Sequence, residues 1–432
     1  MWDYFKGQVV FLTGTSGFLG TTLAYRLLSS APIAHLYVLC RGGLPRLSTL
    51  WAQHLPPRYV QMLCEGPVSV LDGDITKPGM GLDNDMLQKL QGELTIIIHA
   101  ASSINLVHPL IKLSDPVIRS SESMARMGLA CSQLKRFVYV STAYSNTFLY
   151  QETSEADVRV DETIYPLGRG WSTDVRDEWT QVQTKGYSME FMSHDFPWAY
   201  AYAKHLTERL LTRMFADASR PAQLLILRPS IVAPAQHFPH PGFSLPKSTP
   251  TTLLAAGLLL TPSRHVRMAT RLPHPDIQAT IDEVPVDVVV DRLLVHLARG
   301  STGPVHAVSG AAKRYAFRTY WQEAMKMRRV PWTPQPVWMS VDWHSGALHD
   351  IARIYVIVGT SYNFCQRKTD ILYRELGEEE RLGLQLYTTG FGSRHDLAAR
   401  FPHVLSLAER ISRRYFLAWV MFWLFYGWLL WV

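Results

Sequence analysis

Cysteine is scarce in this 432-residue chain: Cys40, Cys64, Cys131 and Cys365 stand far apart and form no Cys-x-x-Cys pair. That spacing excludes a disulfide scaffold and the common structural zinc sites, and buried free thiols in a reducing compartment are expected. The 16 histidines are numerous enough for a metal centre, but none falls in His-Glu-x-x-His or a comparable ligand spacing, so no metal is expected. Charge is low as well. A net charge of +7 is mild for this length, and no basic run is dense enough for nucleic acid. The positive balance suits an anionic membrane face or a phosphate-bearing ligand, or simply a solvated surface. No internal repeat, low-complexity tract or secretory signal is visible; Asp3 interrupts the amino terminus, and the apolar run at 9–12 is too short for a signal. Hydrophobic residues, at 47%, are abundant enough for a large core and exclude disorder.

Against these absences stands one organising stretch, residues 9–20, VVFLTGTSGFLG. Apolar residues run into a turn carrying Gly14, Gly17 and Gly20, and an apolar-rich segment follows. This pattern predicts strand, tight turn and helix. The first glycine permits the turn, the second leaves room for a pyrophosphate, and the third lets helix and strand pack closely. The helix amino terminus would then offer free N–H groups to phosphate.

Further strands are expected in HLYVLC, VSVLDGDIT, TIIIHAAS, FVYVSTAYSN and LLILRPSIV, alternating with helical segments at 115–133 and around WAYAYAKHLTERLLTRMF. Continuous apolar strands imply burial on both faces, hence a parallel, doubly wound α/β sheet. The second strand ends in Cys40-Arg41, where an acid would bind the ribose of NAD and an arginine suits the 2′-phosphate of NADP. Asp74 and Ile75 are placed at the tip of the third strand, where the acid could accept from the adenine amine or cap the next segment. Ala100 and Ala101 close the fourth, small enough for a cofactor to lie against the backbone. Ser141 and Thr142 emerge at the end of the fifth, and ligands of such sheets bind at strand carboxyl ends.

Tyr200 and Lys204 lie four apart on one helical face. A lysine there, with a nicotinamide cation, would draw the tyrosine pKa down towards acid–base work, while a strand-end hydroxyl would steady a developing oxyanion. Tyr202 competes for the role, but its spacing puts it off the face of Lys204. Between 151 and 195 the chain is polar and irregular, as at a substrate entrance. The apolar segment TTLLAAGLLL is too short for a confident span and reads as a substrate-lining or interfacial helix. IDEVPVDVVVDRLLVHLA returns to strand then helix, and GPVHAVSG is a late strand. Residues 415–432, YFLAWVMFWLFYGWLLWV, carry no charge and reach the lower limit for crossing a bilayer. With Arg410, Arg413 and Arg414 before them, they are expected to anchor the protein at its carboxyl terminus, the catalytic part facing the cytosol, with the endoplasmic reticulum or the peroxisome as candidate organelles.

VVFLTGTSGFLG, IIIHAAS, FVYVSTAYSN, YAYAK and LRPSIV resemble the extended short-chain dehydrogenase/reductases. The opening WDYFKGQVVFLTGTSGFLG and EVPVDVVVDRLL are more narrowly similar to the fatty acyl-CoA reductases of the male-sterility type. The resemblance covers about 2–310 and thins beyond; 168–195 does not share it, and GEEERLGLQLYTTG is only faintly like the family's small carboxyl-terminal helical domain. It implies a Rossmann reductase domain at 1–310 and a small, mostly helical domain at 311–413, with the anchor read above from composition at 414–432. It also implies an NADPH-dependent reduction of a long-chain acyl-CoA to aldehyde or primary alcohol at a membrane. Tyr200 would be the proton donor, Lys204 its partner, and Thr142 the strand-end hydroxyl with Ser141 in reserve. The set expected to contact the cofactor is Thr13, Gly14, Ser16, Gly17, Phe18, Leu19, Gly20, Arg41, Asp74, Ile75, Ala100, Ala101, Lys204 and Pro229. Alternatives of other kinds are a membrane sterol or alcohol dehydrogenase with the same catalytic residues, a thioester reductase for carrier-bound acyl chains, and a non-catalytic NADP-sensing scaffold.

Overall fold

The computed structural model describes residues 1–167, 174–326, 328 and 332–389, with scattered positions between 413 and 428. Seven parallel strands form the central sheet: β1 Val9–Thr13, β2 His35–Cys40, β3 Val68–Asp72, β4 Ile96–His99, β5 Arg136–Val140, β6 Leu224–Pro229 and β7 Gly303–Ala307. Their order is β7-β6-β5-β4-β1-β2-β3, so the winding reverses between β1 and β4. Ligand crevices open at such a reversal, at strand carboxyl ends.

The apolar runs explain the sheet. Successive residues point to opposite faces, and both faces are covered. Val10, Leu12, Val138 and Leu227 pack with α1 (Phe18–Ser30) and α4 (Val286–Ala298) on one side. Phe11, Ile97, Phe137 and Ile226 pack on the other against α2 (Ala199–Asp217) and a helical run from Leu110 to Ala130. Helical structure was expected at 115–133; the run starts earlier and passes through a π-helical turn at Ser114–Arg119.

Three expectations need correction. β3 stops at Asp72, so Asp74 and Ile75 belong to the following loop, where Asp74 N donates to Met80 O at 2.8 Å. The region beyond Gly310 is mixed rather than mostly helical. Its strands Gln335–Met339, Tyr362–Phe364 and Tyr315–Ala316 pair with His265–Ala269, Val158–Val160 and Thr280–Ile281, all from before Gly310. Strands this short carry too little period-two pattern to stand out from their helical neighbours.

The third correction concerns the carboxyl terminus. Among the described residues no helix is long and apolar enough to cross a membrane. The expected anchor at 414–432, and the membrane placement and orientation drawn from it, therefore find no support. Most of that stretch lies outside the described residues. A run of roughly 18 apolar residues only touches the lower bound for a span.

Around α3 (Pro250–Leu260), Leu254, Leu258, Ile281, Phe317, Tyr320 and Val358 form a smaller apolar core against the open end of the sheet.

Candidate active site

The glycine turn follows β1 directly. Gly14 has φ +86°, and a Cβ there would meet Ala101 N at 2.9 Å; at Gly20 it would meet Gly14 O at 2.1 Å. Both positions therefore require glycine. Gly17 is different: its added Cβ meets only Gly14 O, at 3.2 Å, so the space before it is open. Gly17 also precedes α1, whose first-turn amides at Phe18, Leu19 and Gly20 have no carbonyl within the helix to bond. Thr13 braces the other side of the crevice. Its Oγ1 accepts from Ala101 N at 3.1 Å and lies 3.0 Å from His99 Nδ1. Burial keeps His99 neutral, pushing its pKa down to about 3, and its Nε2 finds no partner among the described residues.

A cavity of about 800 Å³ opens along the carboxyl edge of the sheet. Of the expected residues, Gly14, Ser16, Gly17, Phe18, Leu19, Gly20, Arg41, Asp74, Ile75, Ala100, Ala101, Ser141, Thr142, Tyr200, Lys204 and Pro229 all line it, while Thr13 sits one layer behind. Arg41 is two-thirds exposed at the tip of β2, 3.9 Å from Asp74. Burial by itself would raise the Asp74 carboxyl, but hydrogen bonds from Thr76 N and Oγ1 and the charge of Arg41 hold it below its ordinary value.

Tyr200 sits in the first turn of α2, just after its N-cap Trp198. Lys204 is buried; its Nζ donates to Val140 O at 2.9 Å and lies 4.8 Å from the Tyr139 ring centre and 6.0 Å from that of Tyr200. Desolvation pushes the lysine down to about 7, opposed by Glu208 one turn on. Desolvation also pushes the Tyr200 phenol above its ordinary value. The expected lowering of that phenol by the lysine is thus not produced by the chain alone, where desolvation is what moves the phenol, and it moves it upwards. A neutral phenol is the form that can donate a proton.

The two hydroxyls at the end of β5 differ. Thr142 Oγ1 accepts from Tyr144 N at 3.2 Å and donates to Pro229 O at 3.4 Å, a contact long enough to be redirected. Ser141 Oγ is buried and finds no partner among the described residues. Tyr202 lies elsewhere: its hydroxyl donates to Glu178 Oε1 and pairs with Ser188 Oγ, both at 2.5 Å. It belongs to the interior and not to the cavity wall. No group of three or more His, Cys, Asp or Glu among the described residues is placed to hold a metal ion.

Sequence reasoning missed several wall residues. Ser102, Ser103, His108 and Lys112 flank the mouth after β4, and Trp198, two positions before Tyr200, faces inward. Segment 355–358 contributes Tyr355, Ile357 and Val358. Of these, only Trp198 had a usable signal, its nearness to the Tyr-x-x-x-Lys helix.

A parallel sheet with a glycine turn at its reversal point, and a Tyr-x-x-x-Lys helix facing it, define an extended short-chain dehydrogenase/reductase. The chain belongs to the male sterility protein family, an NAD-binding family whose profile matches residues 12–293. It is similar to fatty acyl-CoA reductase 1 of Gallus gallus, at 27% identity over 68% of this chain and 55% of that protein. The chain thus spans about half the length of the curated relatives it matches. In fold it is similar to the reductase domain of a nonribosomal peptide synthetase from Mycobacterium tuberculosis (TM-score 0.62, 18% identity, 93% of this chain and 92% of that one). It is also similar to a UDP-glucuronic acid 4-epimerase from Bacillus cereus in complex with NAD (TM-score 0.56, 12% identity, 93% and 100%).

Proposed function

We propose that this protein uses NADPH to reduce a long-chain fatty acyl-CoA thioester to the aldehyde or the primary alcohol. The observation that carries the reading is the convergence of Tyr200, Lys204, Thr142 and the glycine turn on one cavity, in a chain of the male sterility family.

The residues fit a nicotinamide dinucleotide. Open space before Gly17 and the free amides of α1 suit its pyrophosphate, and Ala100 and Ala101 leave the strand end bare for the rings. Arg41 stands where the adenosine ribose lies in this fold; with no acid at the tip of β2, it favours the 2′-phosphate of NADP. When bound, the reduced cofactor supplies the hydride that the thioester carbon accepts.

The chain's own part is positioning and proton transfer. Thr142 Oγ1, released from its long contact with Pro229, donates to the thioester oxygen and orients the carbonyl. Tyr200 gives its phenolic proton to that oxygen as charge builds there, yielding a hemithioacetal. Lys204, fixed on Val140 O beside the phenol, stabilises the tyrosinate left behind. The hemithioacetal then loses its hydroxyl proton as the carbon–sulfur bond breaks; the thiolate takes a proton and CoA leaves the aldehyde. A second round would need a second equivalent of reduced cofactor for its hydride; Tyr200, reprotonated from solvent, again gives its proton to the oxygen, and the aldehyde becomes the alcohol.

The test is purified protein with NADPH and palmitoyl-CoA, products read by mass spectrometry, beside a hydroxysteroid panel. Aldehyde or alcohol from the thioester is expected. Turnover of hydroxysteroids alone, or cofactor binding with no turnover of any acyl chain, overturns the reading.

A further inference from the structure

The cavity wall is chemically divided. Its charged residues, Arg41, Asp74, Lys112 and Lys204, come from strand tips, the segment after β4 and α2. The same wall also carries Leu254, Ile281, Tyr355 and Val358, which belong to the smaller core or pack against it and form an arm to which no charged side chain contributes. Trp198 joins the two halves, because its Nε1 donates to Ile354 O at 2.9 Å and thereby holds segment 355–358 beside the start of α2. The arm ends on the smaller core, to which Leu254, Ile281 and Val358 also belong.

Its wall is rigid. The one polar side chain that α3 brings to the arm, Thr251, spends its hydroxyl on Glu283 Oε1 at 2.5 Å, and its carbonyl accepts from Tyr320. At the other end of α3, Arg328 donates to Leu258 O, Leu259 O and Thr261 O at 2.7, 3.0 and 2.6 Å, satisfying carbonyls that a helix terminus leaves bare. A helix held at both ends presents a fixed apolar stop. The wall suits an uncharged, flexible hydrocarbon, because its side chains are apolar apart from the Tyr355 phenol and the Thr251 hydroxyl, which Glu283 already holds.

We propose that this arm holds the acyl chain and that Leu254 on α3 sets the chain length the protein accepts. The proposal rests on the acyl-thioester reading above. Leu254→Trp shortens the arm and Leu254→Ala extends it towards the Leu258 side, so the two substitutions should move chain-length preference in opposite directions.

The experiment measures kcat/KM for octanoyl-CoA, dodecanoyl-CoA and palmitoyl-CoA, and in parallel the binding of the same three thioesters by calorimetry with NADP⁺ present. Melting curves confirm that each variant is folded, with Leu254→Phe as the milder obstruction should the tryptophan variant fail to fold. One methylene in an apolar pocket is worth roughly 10-fold or more. We therefore expect the palmitoyl-to-octanoyl ratio to fall at least about 10-fold in the Trp or Phe variant and to hold or rise in Leu254→Ala. Wild-type turnover with the same ratio in every folded variant overturns the arm assignment and leaves the acyl-thioester reading standing. Chain-length-dependent binding that shifts with Leu254, without any turnover, does the reverse.

Discussion

Lys204 Nζ donates to the main-chain carbonyl of Val140 at 2.9 Å, so α2 is fastened to the last residue of β5, directly before Ser141 and Thr142. The helix that carries the phenol and the strand that carries the hydroxyls therefore move as one piece. An ammonium at this place is strained by desolvation and eased by the carbonyl, by the Tyr139 ring and by Glu208.

That balance predicts a pH signature. The amine titrates at about 7 in the folded chain, against an ordinary value of 10.5. Between those values the unfolded state binds more protons than the folded one, so stability rises with pH. The penalty for burying the charge is complete below about 7 and gone above the unfolded value. Calorimetric melts of the cofactor-free protein and of Lys204→Met between neutral and alkaline pH should show the wild-type gaining on the variant as pH rises. A constant difference would refute the assignment. Hydride transfer should meanwhile fall at least about 100-fold in the variant.

The two tyrosines should separate cleanly. Tyr200→Phe is expected to lower turnover by about 100- to 10,000-fold while NADPH binding, followed by fluorescence, is nearly unchanged. Tyr202→Phe removes a hydrogen bond to the buried Glu178 carboxylate, which Arg209 also holds at 2.6 Å through two nitrogens. It should cost about 1.5–3 kcal/mol in denaturant unfolding, with turnover largely kept. Equal turnover in Tyr200→Phe would move the proton donor elsewhere.

These assignments show what could be read from residues alone. The sheet was legible because its strands are buried on both faces and so appear as unbroken apolar runs. The glycine turn was legible because its constraint is local: Gly14 and Gly20 are required by atoms a few residues away or on the adjoining strand. Burial was not legible, and burial decides the protonation of Tyr200 and Lys204. TTLLAAGLLL reads as a substrate-lining or interfacial helix, and α3 does line the cavity, but its meeting with 355–358 was not legible, since residues about a hundred positions apart meet there only through tertiary packing. The anchor read from composition at 415–432 finds no support, since no helix among the described residues is long and apolar enough to cross a membrane.

Glycine substitutions should grade by geometry. Gly20→Ala puts a methyl 2.1 Å from a backbone oxygen and should abolish both stable folding of the turn and cofactor binding. Gly17→Ala meets only one atom, at 3.2 Å, so melting should barely change while NADPH affinity falls by about 10-fold or more from obstruction of the phosphate site. Calorimetric titration of both variants separates the effects. Intact affinity in Gly17→Ala would place the pyrophosphate elsewhere.

Arg41 is the test of cofactor choice. Its guanidinium is mostly solvated and meets Asp74 only at 3.9 Å, so it is available to a phosphate. A charge-assisted hydrogen bond there is worth about 1.5–3 kcal/mol, or roughly 10- to 100-fold. Arg41→Ala should lower kcat/KM with NADPH by that factor and leave the value with NADH nearly unchanged, whereas Arg41→Glu should reverse the preference by repelling the phosphate and accepting from the ribose hydroxyls. Because Asp74 loses a nearby cation in either variant, Asp74→Asn on the Arg41→Ala background checks that the switch comes from the missing guanidinium and not from the uncovered carboxylate. An unchanged NADPH-to-NADH ratio in all three would show that Arg41 does not read the phosphate.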